Sequence, residues 1–138
     1  MMRKPFTLSA KVVIRDGEGR CLVLKRSATS QGNPGRWDFP GGKVETGERF
    51  GQSVAREVRE ETGLEISIVR VVGSAESESP DKRIAYIILE GRSERGEVTL
   101  SKEHEESRWV PVRSLFSMDL CPQFMEFAKS YGRLNTSR

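Results

Sequence analysis

Short runs of apolar residues separated by turn-forming residues mark the first part of this chain. Residues 11–15 and 21–24 are rich in Val, Ile and Leu, and the segment between them, residues 16–19, reads Asp-Gly-Glu-Gly. Two apolar runs joined by such a turn predict a β-hairpin. Residues 27–36 are rich in Ser, Asn, Gly and Pro, so we predict a loop there that lies over a site.

A helix is predicted in the middle of the chain. Residues 37–39 form a short predicted strand that ends at Pro40, and Gly41 opens a predicted loop that lasts to about Gly47. The helix then covers residues 51–62 and ends before Gly63, because glycine is the usual residue just past a helix C-terminus. Its predicted apolar stripe comprises Phe50, Val54, Ala55 and Val58.

The second half of the chain alternates strand and helix patterns. We predict strands at residues 66–74, 83–89, 97–100 and 108–110, a helical turn at 112–116 and a helix at 122–131. The run at 83–89 is almost continuously apolar, which indicates burial on both faces of a sheet. Phe124, Phe127 and Ala128 are expected to face inward. The mixed order of strands and helices predicts an α/β fold in which helices flank the sheet.

Composition narrows the class of protein. The 138 residues are 31% charged and 36% hydrophobic, which suits one globular domain over residues 1–138. No apolar run has membrane-spanning length, and no secretory signal pattern follows the first Met, so we expect a cytoplasmic protein. The basic residues that give a net charge of +3 are scattered, so no stable nucleic acid complex is expected. Two isolated cysteines exclude a disulfide framework, and a single histidine excludes any mechanism that needs two.

The predicted helix carries an unfavourable concentration of acid. Glu57, Glu60 and Glu61 are spaced i, i+3 and i+4, so they share one face and repel each other near the C-terminal end of the helix dipole. A bound divalent cation would compensate, and oxygen ligands suit Mg²⁺ or Mn²⁺. The alternative is a solvated charged face that Arg56 and Arg59 partly neutralise.

The full spacing around this helix resembles a known motif. The segment from Gly42 to Leu64 matches all nine specified positions of the Nudix box, G-x5-E-x7-R-E-U-x-E-E-x-G-U with U apolar. The preceding Trp-Asp-Phe-Pro-Gly-Gly at residues 37–42 is similar to the MutT-like branch. The resemblance implies the Nudix fold, an α/β/α sandwich with a mixed β-sheet. It also implies a hydrolase that uses Mg²⁺ or Mn²⁺ to cleave a phosphoanhydride bond in a nucleoside diphosphate-linked substrate.

The resemblance assigns roles by position. The metal ligands it implies are the carboxylates of Glu57, Glu60 and Glu61, with the Gly41 carbonyl as a further ligand. Arg56 is expected to orient a carboxylate of the box through a fork-shaped hydrogen bond, and Glu48 is expected to hold the loop to the helix start. These residues form the expected catalytic and metal-binding set.

The general base is expected outside or at the edge of this set. Glu103 is the first candidate because it stands six residues before Trp109, as in MutT-like proteins. Glu105 and Glu57 are the alternatives, and a solvated acidic loop at residues 102–106 is the non-functional interpretation. His104 could serve as a base or contact phosphate, although a lone loop histidine is more often a bystander.

Substrate choice lies outside the box. The chain length and residues 37–42 favour a MutT-like nucleoside triphosphate pyrophosphohydrolase. Pro80 follows Leu64 by sixteen residues, as in ADP-ribose-cleaving members, yet a proline is also ordinary in a turn. Residues 118–123 lack the asparagine that MutT-like enzymes use to read oxidised guanine. Candidate base or phosphate contacts are Phe6, Lys25, Arg26 and Tyr86. A Nudix-fold binding domain without turnover is the remaining alternative, and a homodimer is possible.

Overall fold

A mixed β-sheet with helices on both faces forms the fold. The computed structural model describes residues 4–95 and 97–135, without the side chains of residues 94 and 95. The strands are β1 (Phe6–Arg15), β2 (Arg20–Arg26), β3 (Trp37–Asp38), β4 (Gly41–Lys43), β5 (Glu65–Glu78), β6 (Arg83–Arg95) and β7 (His104–Pro111). The helices are α1 (Phe50–Thr62) and α2 (Met125–Leu134), with 3₁₀ helices at Val112–Ser117 and Pro122–Phe124. None of the described helices is long and apolar enough to cross a lipid bilayer.

Strand pairing confirms the α/β class. The sheet runs in the order β3-β2-β1-β6-β5, with β4 paired to β1 and β7 paired to β2. The β1 and β6 strands are parallel, and the other pairs are antiparallel. Successive side chains of a strand point to opposite faces. Accordingly, Val13 packs in the core that contains α2, whereas Val12 and Ile14 pack in the core that contains α1.

The first two strands diverge, and this divergence positions the site. Along β1, Arg15 pairs with Cys21 of β2, but Ser9 to Lys11 pair with β4 instead. The Val12 N–H also bonds to the Pro40 carbonyl at 2.8 Å. The short β4 strand is thereby inserted beside β1, with Gly41 directly across from Lys11. The predicted loop from Gly41 to about Gly47 is wrong at residues 41–43, where pairing with β1 extends the chain, whereas residues 44–47 lie outside the strands as predicted.

Helix α1 ends as the sequence predicts. Gly63 adopts a left-handed conformation with φ of 74°, and its N–H bonds to the Arg59 carbonyl at 2.8 Å. Val54 and Val58 are buried against the sheet, as expected. Phe50 is not part of this buried stripe, since 36% of it is exposed. It is the first residue of the helix and lies before the turns that pack on the sheet.

Other element predictions need correction. Residues 97–100 form no strand, because the Thr99 N–H instead bonds to the Thr62 carbonyl at 2.8 Å and so covers the end of α1. The β5 and β6 strands extend beyond their predicted ends, as one long antiparallel pair. The predicted helix at 122–131 is a 3₁₀ turn followed by α2. Phe124, Phe127 and Ala128 are buried as expected.

Candidate active site

Two carboxylates of α1 lie directly against the backbone of β4. Glu61 is only 8% exposed, and its Oε1 accepts a 2.8 Å hydrogen bond from the Gly41 N–H. Gly41 has φ of 141°, and a Cβ there would stand 2.0 Å from the Ala10 carbonyl oxygen. A Cβ on Gly42 would stand 2.8 Å from Oε2 of Glu57. Gly41 therefore permits the close approach of β4 to β1, and Gly42 leaves the space that the carboxylate of Glu57 occupies.

Arg56 joins the acidic residues of the helix to the preceding loop. Its Nε and Nη2 donate to the two oxygens of Glu48 at 2.8 and 2.9 Å. Its Nη1 lies 3.1 Å from both oxygens of Glu60 and 3.3 Å from Oε1 of Glu57. This is the fork-shaped contact that the sequence led us to expect. A catalytic role for Arg56 stays a prediction.

The electrostatics of the site oppose ionisation of two glutamates. Burial raises the pKa of Glu61 to about 7, and the charges of Asp38 and Glu103 add to that rise, whereas Lys11 and the Gly41 N–H oppose it. Burial also raises the pKa of Glu57; Arg56 opposes this shift, and the charges of Glu60 and Glu103 reinforce it. A cation from outside the chain would stabilise both carboxylates in the ionised form.

The chemistry of these ligands suits a hard cation, but the ligands are not assembled. The available donors are carboxylate and backbone oxygens, which Mg²⁺ and Mn²⁺ prefer. Within residues 4–95 and 97–135, no three His, Cys, Asp or Glu side chains are grouped closely enough to hold a metal ion. The hydrogen bonds of Glu60 explain part of this result, because Arg56 binds both of its oxygens and its side chain is 59% exposed.

The two candidates for general base outside the helix, Glu103 and Glu105, have different surroundings. Glu103 lies in the turn before β7, and its charge contributes to the raised pKa of both Glu57 and Glu61. Glu105 lies on β7 itself, with Oε1 4.0 Å from the Lys25 ammonium. Thus Glu103 is brought to the carboxylates of α1, and Glu105 is paired with a lysine. The predicted loop at 102–106 is shorter than expected because β7 begins at His104.

His104 is buried rather than exposed on a loop. It is 7% exposed, and burial lowers its pKa. Its Nδ1 has no hydrogen-bond partner among the residues that the structure describes.

The two cysteines lie away from the carboxylates of α1. Cys21 and Cys121 are buried as free thiols, and both lie in the core that contains α2.

A cavity of about 940 Å³ is lined by Lys11, the residue that pairs with Gly41 across the strands, and none of the glutamates of α1 lines it. Its wall contains the charged residues Lys11, Arg26 and Asp38, and also Glu76, Glu78, Asp81 and Lys82. Uncharged side chains in the wall form a chain of hydrogen bonds: Asn33 to Gln123 at 3.3 Å, Gln123 to the Tyr86 hydroxyl at 3.4 Å, and Tyr86 to Ser77 at 3.1 Å. Such a mixed wall can accommodate a small molecule with a charged and an uncharged part.

The predicted substrate contacts are only partly at this cavity. Arg26 and Tyr86 line it. Lys25 lies beside Glu105 instead, and Phe6 is 52% exposed under the guanidinium of Arg83 at 4.0 Å. Sequence reasoning missed Lys11, although a lysine inside an apolar strand run was a visible signal.

The sequence as a whole matches a known domain. A sequence model described as "NUDIX domain" matches residues 5–131. The chain belongs to the Nudix family. The nucleoside triphosphatase NudI of Enterobacter sp. (strain 638) is 31% identical to it over 118 residues, which cover 78% of this chain and 84% of that relative.

Solved Nudix structures share this fold. The MutT protein from Methanosarcina mazei Go1 superposes with a TM-score of 0.88 at 36% identity, covering 98% of this chain and 99% of that one. The E. coli ORF135 protein superposes with a TM-score of 0.80 at 26% identity, covering 98% and 94% of the two chains. The expectation of a Nudix hydrolase of the MutT-like branch is confirmed.

Proposed function

We propose that this protein is a metal-dependent nucleoside triphosphate pyrophosphohydrolase. The observation that carries the proposal is the placement of Glu57 and Glu61 against the backbone of β4, the strand that pairs with Lys11 of the cavity wall. The volume of that cavity is about 940 Å³. Cavities of roughly 300–1,000 Å³ hold ligands of nucleotide size. Relatives named for nucleoside triphosphatase and MutT proteins support the choice of substrate.

Mg²⁺ or Mn²⁺ is the cofactor that these donors fit. Glu57, Glu60 and Glu61 would hold it, together with the Gly41 carbonyl. When bound, the metal supplies charge neutralisation for the phosphate oxygens and favours deprotonation of the attacking water. For Glu60 to take part, its carboxylate must exchange its contacts with Arg56 for the metal.

The residues of the chain would divide the remaining work. Glu103 would accept the proton of the attacking water, because it is close enough to influence the pKa of both Glu57 and Glu61. Arg56 would keep the glutamates oriented while it remains anchored to Glu48. The attack on phosphorus breaks one phosphoanhydride bond and releases pyrophosphate and a nucleoside monophosphate.

No structural observation favours ADP-ribose over a nucleoside triphosphate. Pro80 lies in the turn between β5 and β6, where the Ser79 N–H bonds to the Lys82 carbonyl at 2.9 Å. Proline is common in such turns for conformational reasons alone. The turn therefore accounts for this residue without a role in substrate choice.

A substrate panel tests the proposal. The purified protein is mixed with Mg²⁺ or Mn²⁺ and with nucleoside triphosphates, deoxynucleoside triphosphates and ADP-ribose, and released phosphate and pyrophosphate are measured. We expect pyrophosphate from at least one triphosphate, with more activity at alkaline pH and none in EDTA. Cleavage of ADP-ribose alone would replace the proposed substrate class. No cleavage of any compound would leave the binding-domain alternative.

A further inference from the structure

A buried ion pair lies in the wall of the cavity. Lys11 is 8% exposed and Asp38 is 2% exposed, and the Lys11 ammonium lies 3.2 Å from Oδ2 of Asp38. The residues that share the Lys11 face of β1, Ser9 and Val13, are also buried. Burying a charged pair in such a strand is costly, and an apolar residue often packs at least as well. The lysine therefore calls for an explanation beyond packing.

Two cations contact Asp38. Nη1 of Arg26 lies 3.2 Å from the same Oδ2 that binds Lys11. Lys11 therefore shares its carboxylate partner with Arg26, and Glu61 is the other acid whose charge acts on Lys11. Arg26 is additionally anchored through Nε to the Gly32 carbonyl at 2.6 Å.

The Lys11 ammonium has capacity to bind a ligand. An ammonium group has three N–H donors. Across the described part of the chain, Asp38 is the single hydrogen-bond acceptor of this group. Because Lys11 lines the cavity, its other donors are available to an acceptor that enters there.

The position of Lys11 links the cavity to the glutamates. Lys11 pairs across the strands with Gly41, whose N–H binds Glu61. The charge of Lys11 is also close enough to lower the pKa of Glu61. The neutral hydrogen-bonding groups at Tyr86 and Gln123 suit the uncharged part of a nucleotide. Lys11 is thus a residue of the cavity wall that the structure connects to Glu61 through Gly41.

We propose that Lys11 binds the phosphate chain of the nucleoside triphosphate where that chain leaves the cavity for the glutamates of α1. The inference rests on the proposed function, since it assumes that the ligand is a nucleoside triphosphate. Asp38 holds the ammonium in place, and Arg26 supports Asp38 from the other side.

Replacement of the lysine by an apolar residue of similar length tests this role. With the triphosphate that the panel shows to be turned over fastest, we expect Lys11→Met to raise KM by about 10- to 100-fold, the loss expected for a charged hydrogen bond. Lys129→Met is the matched control, because Lys129 is exposed on α2 and its loss changes net charge equally. An unchanged KM in Lys11→Met overturns the inference.

A double variant separates phosphate binding from simple neutralisation of Asp38. Lys11→Met leaves Asp38 paired with Arg26 alone, and the added Asp38→Asn removes this remaining carboxylate charge as well. We expect the raised KM to persist in this double variant. Recovery of the wild-type KM would mean that Lys11 serves only to neutralise Asp38, and the inference would fail.

Binding measurements keep this test independent of turnover. Calorimetric titration with the same nucleoside triphosphates and Mg²⁺ compares wild type and Lys11→Met directly. Weaker binding in the variant supports the inference even if no compound is hydrolysed, in which case the hydrolase proposal alone fails. Equal affinity overturns the role of Lys11 and leaves the hydrolase proposal standing. If wild type binds none of these nucleotides, both proposals fail.

Discussion

Two buried glutamates of this protein, Glu61 and Glu90, have different surroundings. Glu90 on β6 is 5% exposed, accepts a 2.6 Å hydrogen bond from the Tyr131 hydroxyl, and lies 3.4 Å from Arg70 and 3.9 Å from Arg15. Glu61 on α1 is 8% exposed, and its hydrogen bond comes from the neutral backbone of Gly41.

The difference shows how a structural carboxylate can be distinguished from a functional one. The chain itself supplies fixed cations within 4 Å of Glu90. Around Glu61, burial dominates and raises its pKa to about 7, despite the opposing charge of Lys11. A carboxylate held at this cost is suited to an external cation.

Replacement of the two glutamates by glutamine should affect turnover very differently. We expect Glu61→Gln to lower kcat by about three orders of magnitude, because it removes a metal ligand that stabilises the transition state. Glu90→Gln removes the same charge from the other face of the sheet and should leave kcat within about threefold. Steady-state assays on the best substrate check this. Equal losses of kcat in both variants would contradict the distinction between a functional Glu61 and a structural Glu90.

The free energy of unfolding should depend on Glu90 more than on Glu61, which is the reverse of the order expected for kcat. Glu90→Gln leaves the partly buried guanidinium of Arg15 without its counter-charge, so we expect the free energy of unfolding to fall by about 2 kcal/mol. Glu61→Gln should not destabilise the metal-free protein at pH 7. Urea unfolding of both variants and wild type measures the difference, and a stable Glu90→Gln protein would count against a structural role for Glu90.

The pH dependence of stability should carry the signature of Glu61. Its pKa is raised from 4.5 to about 7 in the folded state, so between these values the folded protein holds a proton that the unfolded chain has lost. In EDTA, the free energy of unfolding should therefore decrease by about 3 kcal/mol as pH rises from 4.5 to 7, and then level off. Unfolding curves of wild type and Glu61→Gln across this range isolate the effect. If the two proteins show the same pH dependence, Glu61 does not carry this shift.

Glu103 and Glu105 allow a second comparison, for which we expect a smaller effect on kcat. Glu103→Gln should lower kcat by about 100-fold if it removes the general base. Glu105→Gln should change kcat little, because Glu105 is paired with Lys25. The pH profile of kcat in each variant provides the check. A larger loss of kcat in Glu105→Gln than in Glu103→Gln would identify Glu105 as the general base instead.

Local signals in the sequence predicted much of the helix and its acidic face. Gly63 ended α1 as expected, because the left-handed stop depends on the residue itself. The fork from Arg56 to Glu48 also followed from the motif, since both residues lie in one continuous segment.

Features that depend on distant segments were harder to predict. The β4 strand exists because β1 and β2 diverge, and residues 97–100 are drawn to the end of α1 rather than into the sheet. Lys11 and Asp38 meet across 27 positions of sequence, so neither residue alone indicates their pairing. The cavity likewise combines residues from several strands and the loop before β3.

Calorimetric titration with Mg²⁺ in the presence of the best nucleotide tests the central claim most directly. We expect wild type and Glu90→Gln to take up the metal with similar affinity, and Glu61→Gln to bind it much more weakly. Metal uptake by Glu61→Gln equal to that of wild type, or no uptake by wild type, would contradict the account.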